Sequence, residues 1–394
     1  MTRPVRDALE LTEEQRDLVR LAADYAGADI RPRARAVDEA DVESPLDLWI
    51  SASQLGLTNF MLPAEYGGGG VTDLLTQALV QEELCYGDIA IGNLLTSNGF
   101  FAAPIEALGT EEQRKRWLGV LCEPRPPLTA VAVTEPDIGS DAAGLTTRAT
   151  RDGDDYVLRG QKAWISNAPY AELFVIFATV DPAKRAHGVT AFVVPRNTAG
   201  LSVGKPMRKM GQRAIVNAEV FLDDVRVPAE DRLGDEGQGF YGLMRTFDAS
   251  RILIGAAATG LARAALDTAV EYAKDRRQFG KPIIDHQAVA FRLADMAARV
   301  DAAHLLTVRA AQLYDQGLDV SAESAIAKLT ASETAMWCAW AAMQTLGGWG
   351  YSREFLVEKW LRDAKLEEIE EGTSDIQRLI ISRSLVSSRS VRPA

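Results

Sequence analysis

A group of strand-like apolar runs lies between two helical regions, and this order limits the folds open to the chain. The runs are rich in apolar and β-branched residues and are bounded by Gly, Asp or Pro, a pattern that predicts β-strands. They are residues 128–133, 156–158, 173–180, 189–194 and 216–227. On both sides the apolar residues instead recur with the 3.6-residue period of an α-helix. We therefore predict a β domain inserted between two all-α regions.

Clusters of proline and glycine mark the two junctions. The run Glu-Pro-Arg-Pro-Pro at 123–127 ends a helical region, because proline removes a backbone donor and restricts the residue before it. Pro228 and the glycines that follow it mark the second junction. We predict an N-terminal helical domain at 1–125, a middle β domain at 126–235 and a C-terminal helical bundle at 236–394.

The last region contains long helical patterns joined by short loops, which is typical of an antiparallel bundle. We predict helices at 240–275, 285–312, 321–346, 354–369 and 374–385, with the second broken near its middle. Residues 387–394 are expected to be frayed, as chain ends usually are.

Composition argues against several classes of function. The 394 residues are 47% hydrophobic and 25% charged, as in ordinary soluble proteins. The net charge of −12 argues against a nucleic-acid-binding surface. Residues 1–30 lack the apolar core of a signal peptide, and the longest apolar run, 173–180, is too short to span a membrane. The cysteines and histidines show no metal-ligand spacing, so we expect a reduced, cytoplasmic protein without a structural metal.

An acidic run separates the last two predicted helices. Gly372 is a natural helix stop, and Ser374 with Gln377 predicts a capping box that starts the next helix. Glu371 therefore lies in the break, where a partly buried carboxylate would have the raised pKa that a general base needs. The run 367–371 also fits a simple solvated acidic surface, because most charge runs are of that kind.

Two segments of the β domain carry groups suited to a flat polar ligand. Residues 131–141 begin as a strand and end in a turn, where Thr134 and Ser140 would present hydroxyls to a heterocycle or a phosphate. The alternative is an ordinary turn capped by Asp141. Residues 162–167 follow the short strand at Tyr156, and Trp164 could shield one face of a cofactor or simply be a core residue.

Three segments of the bundle also allow two interpretations each. The basic loop at 275–282 could clamp a diphosphate or be solvated, and the helix that opens at His286 offers free N–H groups to anions. The glycine-rich turn at 344–351 permits close approach of a ligand or only ends a helix. Asp248 and Arg251 share a helix face, as a surface pair or as ligands of a polar tail.

Taken together and in this order, these segments resemble the acyl-CoA dehydrogenase family over essentially the whole chain. The shared motifs are Thr-Glu-Pro with Gly-Ser-Asp (134–141), Trp-Ile-Ser (164–166), the loop 276–280 with His-Gln (286–287), the turn 344–350 and Glu-Gly-Thr-Ser (371–374). The resemblance implies a mainly α fold with a β insert: an N-terminal α-helical domain, a central β-barrel or sandwich-like domain and a C-terminal four-helix bundle. It also implies a homotetramer, as a dimer of dimers, with FAD at subunit interfaces.

The resemblance implies roles for individual residues. Glu371 would take the α-proton of an acyl-CoA thioester while the β-hydrogen leaves as hydride to the flavin, and its backbone N–H would help to hold the thioester oxygen. Some family members place the base near the position of Arg251, but residues 249–251 contain no Glu, which favours Glu371. Substrate contacts would come from Ser140, Asp248, Arg251 and Gly372. FAD contacts would come from Val131, Val133, Thr134, Gly139, Ser140, Trp164, Ile165, Ser166, Arg276, Gln278, His286, Gln287, Gln344, Gly347, Gly348, Thr373 and Asp375.

The chain departs from the family pattern beside the base. Glu370 stands where many members carry an aromatic residue, and we expect it to point away from Glu371, because two facing carboxylates would raise each other's pKa. Asp137 and Ile138 replace smaller residues. The acyl end of the substrate is expected to lie against residues 90–101 and the start of the bundle.

The function implied is FAD-dependent α,β-dehydrogenation of an acyl-CoA to the trans-2-enoyl-CoA, with electrons passed to an electron-transfer flavoprotein. One alternative is a flavin oxidase or monooxygenase of the same fold that uses oxygen. A second is a dehydrogenase that acts on an acyl group bound to a carrier protein. A third, a flavin-containing binding or nucleic-acid-binding relative, is disfavoured by the acidic charge and by Glu371.

Overall fold

The computed structural model describes residues 9–387, which are mostly helical with a β-sheet in the middle. The N-terminal region contains helices α1 (Glu13–Tyr25), α2 (Arg31–Ala40), α3 (Leu46–Gln54), α4 (Leu74–Gly87), α5 (Ile89–Leu108) and α6 (Glu111–Gly119). Helices α1 and α6 each begin with a capping box, in which Thr12 pairs with Gln15 and Thr110 with Gln113. These caps fix where the two helices start.

The middle of the chain forms an eight-stranded sheet. Its strands are β1 (Thr129–Ala132), β2 (Arg148–Asp152), β3 (Asp155–Ser166), β4 (Leu173–Thr179), β5 (Val189–Pro195), β6 (Leu201–Val203), β7 (Asn217–Pro228) and β8 (Arg232–Leu233). The order is β6-β7-β3-β2-β4-β5-β8, and β1 pairs in parallel with β4. Side chains from β3, β4, β5 and β7 form the core of this domain.

Strand β3 differs from its prediction. The sequence indicated a strand only at 156–158, with the Trp164 segment after it, but β3 continues through Ser166 because it pairs with β7 along its length. The polar residues of its middle hid this strand from a search for apolar runs. The pairing shifts register between Lys162 and Ile165, which leaves Trp164 on an irregular bulge.

The C-terminal region is a helical bundle. Its helices are α7 (Gly239–Asp275), α8 (Gln287–Asp315), α9 (Ser321–Leu346), the single turn α10 (Gly348–Tyr351), α11 (Val357–Glu367) and α12 (Ser374–Ser387). A short hairpin of β9 (Arg277–Gln278) and β10 (Lys281–Pro282) joins α7 to α8. The predicted break in α8 is wrong, because the helix contains neither proline nor glycine and runs unbroken.

Helix α7 lies at the centre of the bundle. Its small residues, such as Ala257, Ala258 and Ala265, are buried against the other helices, and alanine lets helix axes approach closely. Among the described residues α7 alone is long and apolar enough to cross a membrane, yet 78% of its most apolar window is buried inside the protein. It is therefore placed as a core helix. Residues 388–394, part of the segment expected to be frayed, lie outside the described residues.

Candidate active site

The acidic turn between α11 and α12 has an unusual backbone. Glu371 has φ +49° and Gly372 has φ +96°, both in the left-handed region that favours glycine. Gln377 Nε2 donates to Gly372 O at 2.8 Å, and Lys328 Nζ, from α9, donates to the same oxygen at 3.0 Å. These two bonds tie the turn to helices α12 and α9. A non-glycine residue in a strained conformation, held by its surroundings, is typical of a functional position.

The helix that follows is capped by a different residue from the one expected. Thr373 Oγ1 accepts a hydrogen bond from Ile376 N at 3.3 Å, whereas Ser374 Oγ is buried without a partner. The predicted capping box on Ser374 is therefore wrong. Gln377, its expected partner, instead holds the Gly372 carbonyl.

The Glu371 carboxyl is half-buried and meets the bundle through Ser250. Ser250 Oγ, on α7, is hydrogen-bonded to Glu371 Oε2. Burial raises the pKa of Glu371 to about 7, because the Ser250 bond and the charges of Arg251 and Lys328 do not offset the lost solvation. A carboxyl with this pKa exchanges protons readily near neutral pH, as a general base must.

Glu370 is turned inward, beside the base. Its carboxyl is hydrogen-bonded to that of Glu367, and its charge helps to raise the pKa of Glu371. Burial raises the pKa of both Glu367 and Glu370, because each carboxylate loses its hydration there. The expectation that Glu370 points away from Glu371 is thus met only in part, since the two carboxyls remain electrostatically coupled.

Asp248 and Arg251 are one turn apart on α7, next to Ser250. Arg251 Nη1 lies 3.0 Å from Asp248 Oδ1, and the guanidinium stacks over the Phe247 ring with 5.6 Å to its centroid. Arg251 is buried, with an exposed fraction of 6%, so the pair is no solvated surface pair. The structure therefore brings Asp248, Arg251 and Glu371 together at one end of α7.

A second group of predicted residues lies at the ends of β1 and β3. Val131, Val133 and Thr134 are half-buried, and Gly139 and Ser140 are exposed in the turn that follows. Beneath them a buried ion pair joins Glu135 to Lys162, with 2.9 Å between Oε1 and Nζ, and Lys162 also donates to Val133 O at 2.9 Å. This pair fixes the end of β1 against β3.

The bulge of β3 presents its aromatic ring outward. Trp164 has φ +62° and an exposed fraction of 60%, while Ile165 is buried in the sheet core. Ser166 Oγ and Trp164 O both accept from Asn217 Nδ2, which holds the bulge in place. Trp164 is thus no core residue, and of Ile165 only the backbone is left to meet a ligand.

A third group lies on the hairpin between α7 and α8 and at the end of α9. Arg276, Gln278 and Gln287 are exposed, and His286 Nε2 lies 3.1 Å from Gln278 O. At the end of α9, Gln344, Gly347 and Gly348 are exposed, and Gly347 has φ +62°. Near the base, Thr373 is half-buried and Asp375 is exposed.

Sequence reasoning missed three polar residues that organise the site. Ser250 binds the carboxyl of Glu371, Lys328 binds the turn, and the carboxyl of Glu367 adjoins that of Glu370. Only Lys328 carried a usable signal, because it is a single lysine on the apolar, alanine-rich face of α9. A buried lysine there requires acidic partners.

The residues fit a flat polar cofactor such as FAD. Trp164 offers an exposed ring of the kind that covers one face of a heterocycle. Thr134, whose backbone oxygen accepts from Ala163 N, and Ser166 carry hydroxyls on the same two segments. The exposed basic hairpin has the charge expected around a diphosphate. This set of groups agrees with the resemblance found in the sequence.

Comparisons with known proteins agree with this arrangement. Models of the N-terminal, middle and C-terminal domains of acyl-CoA dehydrogenases match residues 12–124, 130–225 and 237–386. A probable acyl-CoA dehydrogenase of Bacillus subtilis (strain 168) is 42% identical over 96% of this chain and 99% of its own.

Two solved structures share the fold. Butyryl-CoA dehydrogenase of Megasphaera elsdenii is 38% identical, with a TM-score of 0.92 over 96% of this chain and 99% of its own. The prolyl acyl carrier protein oxidase AnaB is 32% identical, with a TM-score of 0.90 over 95% and 99%. With three domain models in order and such relatives along nearly its whole length, the chain belongs to the acyl-CoA dehydrogenase family.

Proposed function

We propose that the protein is an FAD-dependent dehydrogenase that converts an acyl-CoA to its trans-2-enoyl-CoA, with Glu371 as the catalytic base. The observation that carries this proposal is the Glu371 carboxyl, held by Ser250 at one end of α7, with its pKa raised to about 7. A carboxylate of that basicity takes up a proton in the reaction and releases it to water at neutral pH.

The chain's own groups would act on the thioester in three ways. Glu371 would remove the α-proton, and Ser250 would orient the carboxylate oxygen that receives it. The Glu371 N–H, fixed by the left-handed turn, would help to hold the thioester oxygen and so stabilise enolate character at the α-carbon. Asp248 and Arg251 would meet the substrate beside the base. Bound FAD supplies the acceptor for the β-hydride.

The cofactor would contact the residue groups of the β domain and the hairpin. The three groups lie on different elements, and Arg276, Gln278 and Gln287 are exposed, which is consistent with a site shared between subunits of a homotetramer. We propose an electron-transfer flavoprotein as the acceptor and a cytoplasmic location. The domain division at residues 125 and 235 also stays a prediction.

The test is anaerobic mixing of the FAD-loaded protein with a panel of acyl-CoAs while the flavin absorbance is followed. We expect the wild type to bleach and Glu371→Gln to retain FAD but lose bleaching by several orders of magnitude, because only the base is removed. Glu368→Gln is the matched control, since Glu368 lies in the same acidic run but pairs with Lys365. A Glu371→Gln variant that bleaches at the wild-type rate would refute the assignment.

A second candidate is an enzyme that acts on a carrier-bound acyl group or passes electrons to oxygen. The similarity to a prolyl acyl carrier protein oxidase supports this second candidate. Two measurements separate the candidates. Offering the same acyl group on CoA and on a carrier protein distinguishes the thioester, and admitting air to the reduced protein distinguishes slow reoxidation, expected of a dehydrogenase, from fast reoxidation.

A further inference from the structure

We propose that Glu370, backed by Glu367, makes the acyl pocket select acyl groups that carry a hydrogen-bond donor, a hydroxyl or an ammonium, beyond the β-carbon. This inference rests on the proposed function, because it assigns the substrate class of the same site. It follows from three features of the cleft beside Glu371.

The first feature is the position of the cleft. On α5, Asn93, Thr96 and Phe100 are half-buried at helical spacing, while most of the helix is buried. Phe100 stacks on Phe247 of α7, with 6.3 Å between ring centroids, and Ser250, one turn further along α7, binds Glu371. From these partly exposed residues we infer a cleft that runs along α5 beside the proposed base.

The second feature is a chain of polar side chains along one wall. Gln81 Nε2 donates to Asn93 Oδ1 at 2.7 Å, and Asn93 Nδ2 lies 3.4 Å from Gln212 Oε1. Gln212 Nε2 donates to Glu367 Oε1, and Glu367 is hydrogen-bonded to Glu370. The wall therefore runs from α5 to the turn of the base through amides and carboxyls, where a pocket for a plain alkyl chain needs apolar side chains.

The third feature is a surplus of acceptors. Glu370 Oε1 and Glu367 Oε2 are buried with no N–H or hydroxyl donor, and Glu367 is fully buried. The nearby ammonium groups donate elsewhere: Lys328 to Gly372 O, and Lys209 to Gln212 O, Ile215 O and Asn217 Oδ1. The two carboxyls adjoin each other, and a single shared proton would satisfy only one oxygen of each. Glu370 as a whole is only half-buried, and we place its other oxygen, Oε2, toward the cleft.

The identity of the preferred group follows from the cost of desolvation. An alkyl chain laid against Glu370 would strip water from a carboxyl and return no hydrogen bond, which is unfavourable. A hydroxyl or ammonium replaces that water with a donor. A carboxylate on the acyl chain would meet two carboxyls and be repelled. Sites that hydrogen-bond a substrate group discriminate strongly against analogues that lack it.

The experiment compares acyl-CoAs matched in size but different at the far end: ω-methyl, ω-hydroxy, ω-amino and ω-carboxy, each at several chain lengths. Affinity is measured by calorimetry on the FAD-loaded Glu371→Gln variant, which binds without turnover. We expect the best ω-hydroxy or ω-amino compound to bind at least about tenfold more tightly than its ω-methyl match, and ω-carboxy to bind worst. Equal or tighter binding of the ω-methyl compounds at every length would overturn the inference.

A second variant assigns the preference to Glu370. Adding Glu370→Leu to Glu371→Gln should reverse the preference in favour of ω-methyl, whereas adding Glu368→Leu should leave it unchanged. A preference that survives Glu370→Leu would also overturn the inference. The proposed function fails separately, when the wild type shows no flavin bleaching with any member of the panel, because the binding ratios do not depend on turnover.

Discussion

Ser250 Oγ is hydrogen-bonded to Glu371 Oε2, and this bond joins helix α7 to a turn 121 residues later in the chain. It is the direct hydrogen bond from the bundle to the carboxyl of the proposed base. Burial raises the pKa of Glu371, and the Ser250 bond works in the opposite direction by stabilising the charged form. The pKa of Glu371 thus depends on burial, which raises it, and on the Ser250 hydroxyl, which lowers it.

Replacing Ser250 by alanine should raise the pKa of Glu371 further. A hydrogen bond to a charged group contributes about 1.5–3 kcal/mol. Because the same bond to the protonated carboxyl is weaker, its loss should raise the pKa of Glu371 by about one unit. The pH profile of flavin reduction should move up by about one unit, and the rate at pH 7 should fall about 3–10-fold. Stopped-flow reduction at several pH values measures this.

The matched control is Ser53→Ala. Ser53 and Ser250 each donate to a carbonyl of their own helix, but Ser53 lies on α3. Its profile should coincide with that of the wild type. A Ser250→Ala profile that keeps its midpoint would show that the bond does not set the basicity of Glu371.

The wild-type reaction should itself depend on pH near neutrality. Only ionised Glu371 accepts the α-proton, so kcat/KM for flavin reduction should rise with pH and level off above about 7. Below the midpoint it should fall about tenfold per pH unit. Rates measured between pH 5 and 9 with one substrate provide the test, and a profile flat across pH 7 would contradict the burial of the base.

The same pKa predicts an effect on stability. A carboxyl with a folded pKa of about 7 and an unfolded value near 4.5 binds a proton in the folded state that the unfolded state releases between those values. Glu371 therefore lowers the free energy of unfolding as pH rises through this window. Glu371→Gln should be more stable than the wild type by about 1–3 kcal/mol at pH 8 and nearly equal at pH 4.

Denaturant unfolding of the apoproteins at both pH values tests this prediction. Glu368→Gln again serves as the control, because Glu368 makes an ion pair with Lys365 and should gain nothing at pH 8. If Glu371→Gln were destabilised equally at both pH values, the cost would be one of packing and not of ionisation.

Local patterns predicted much of the fold. Helix α9 begins and ends at the residues that its periodicity indicated, 321 and 346, and strand β4 needed only its apolar run to be found. Both elements carry their signal in their own side chains. Strand β3 does not, because its polar middle is stabilised by pairing with β7, which lies about 60 residues away.

The site was predictable to a similar extent. The break that holds Glu371 follows from Gly372 and a helix start, both of which are local features. The partners of the turn are not local: Ser250 and Lys328 come from other helices, and nothing in their neighbouring residues indicates which carboxyl they meet. Likewise the inward turn of Glu370 depends on Glu367 and Gln212, which only the folded chain brings together.

The buried pair of Glu135 and Lys162 should stabilise the end of β1 on which the proposed flavin contacts lie. Burial lowers the pKa of Lys162 to about 8, although the charge of Glu135 acts in the opposite direction. Burial would raise the pKa of Glu135, but Lys162 and two threonines lower it to about 2. The pair is therefore ionised at neutral pH. Lys162→Met would leave a buried carboxylate without its cation, which typically costs about 3–5 kcal/mol.

We expect Lys162→Met to lower the free energy of unfolding by that amount and to weaken FAD retention, because Val133 O also loses its donor. Lys184→Met is the control, since Lys184 is an exposed lysine of the same domain in a loose 3.8 Å pair with Asp181 and should change stability by less than about 1 kcal/mol. Denaturant unfolding and flavin content after gel filtration measure both effects. A Lys162→Met protein with full stability and full flavin would show that the pair does not hold this end of the site.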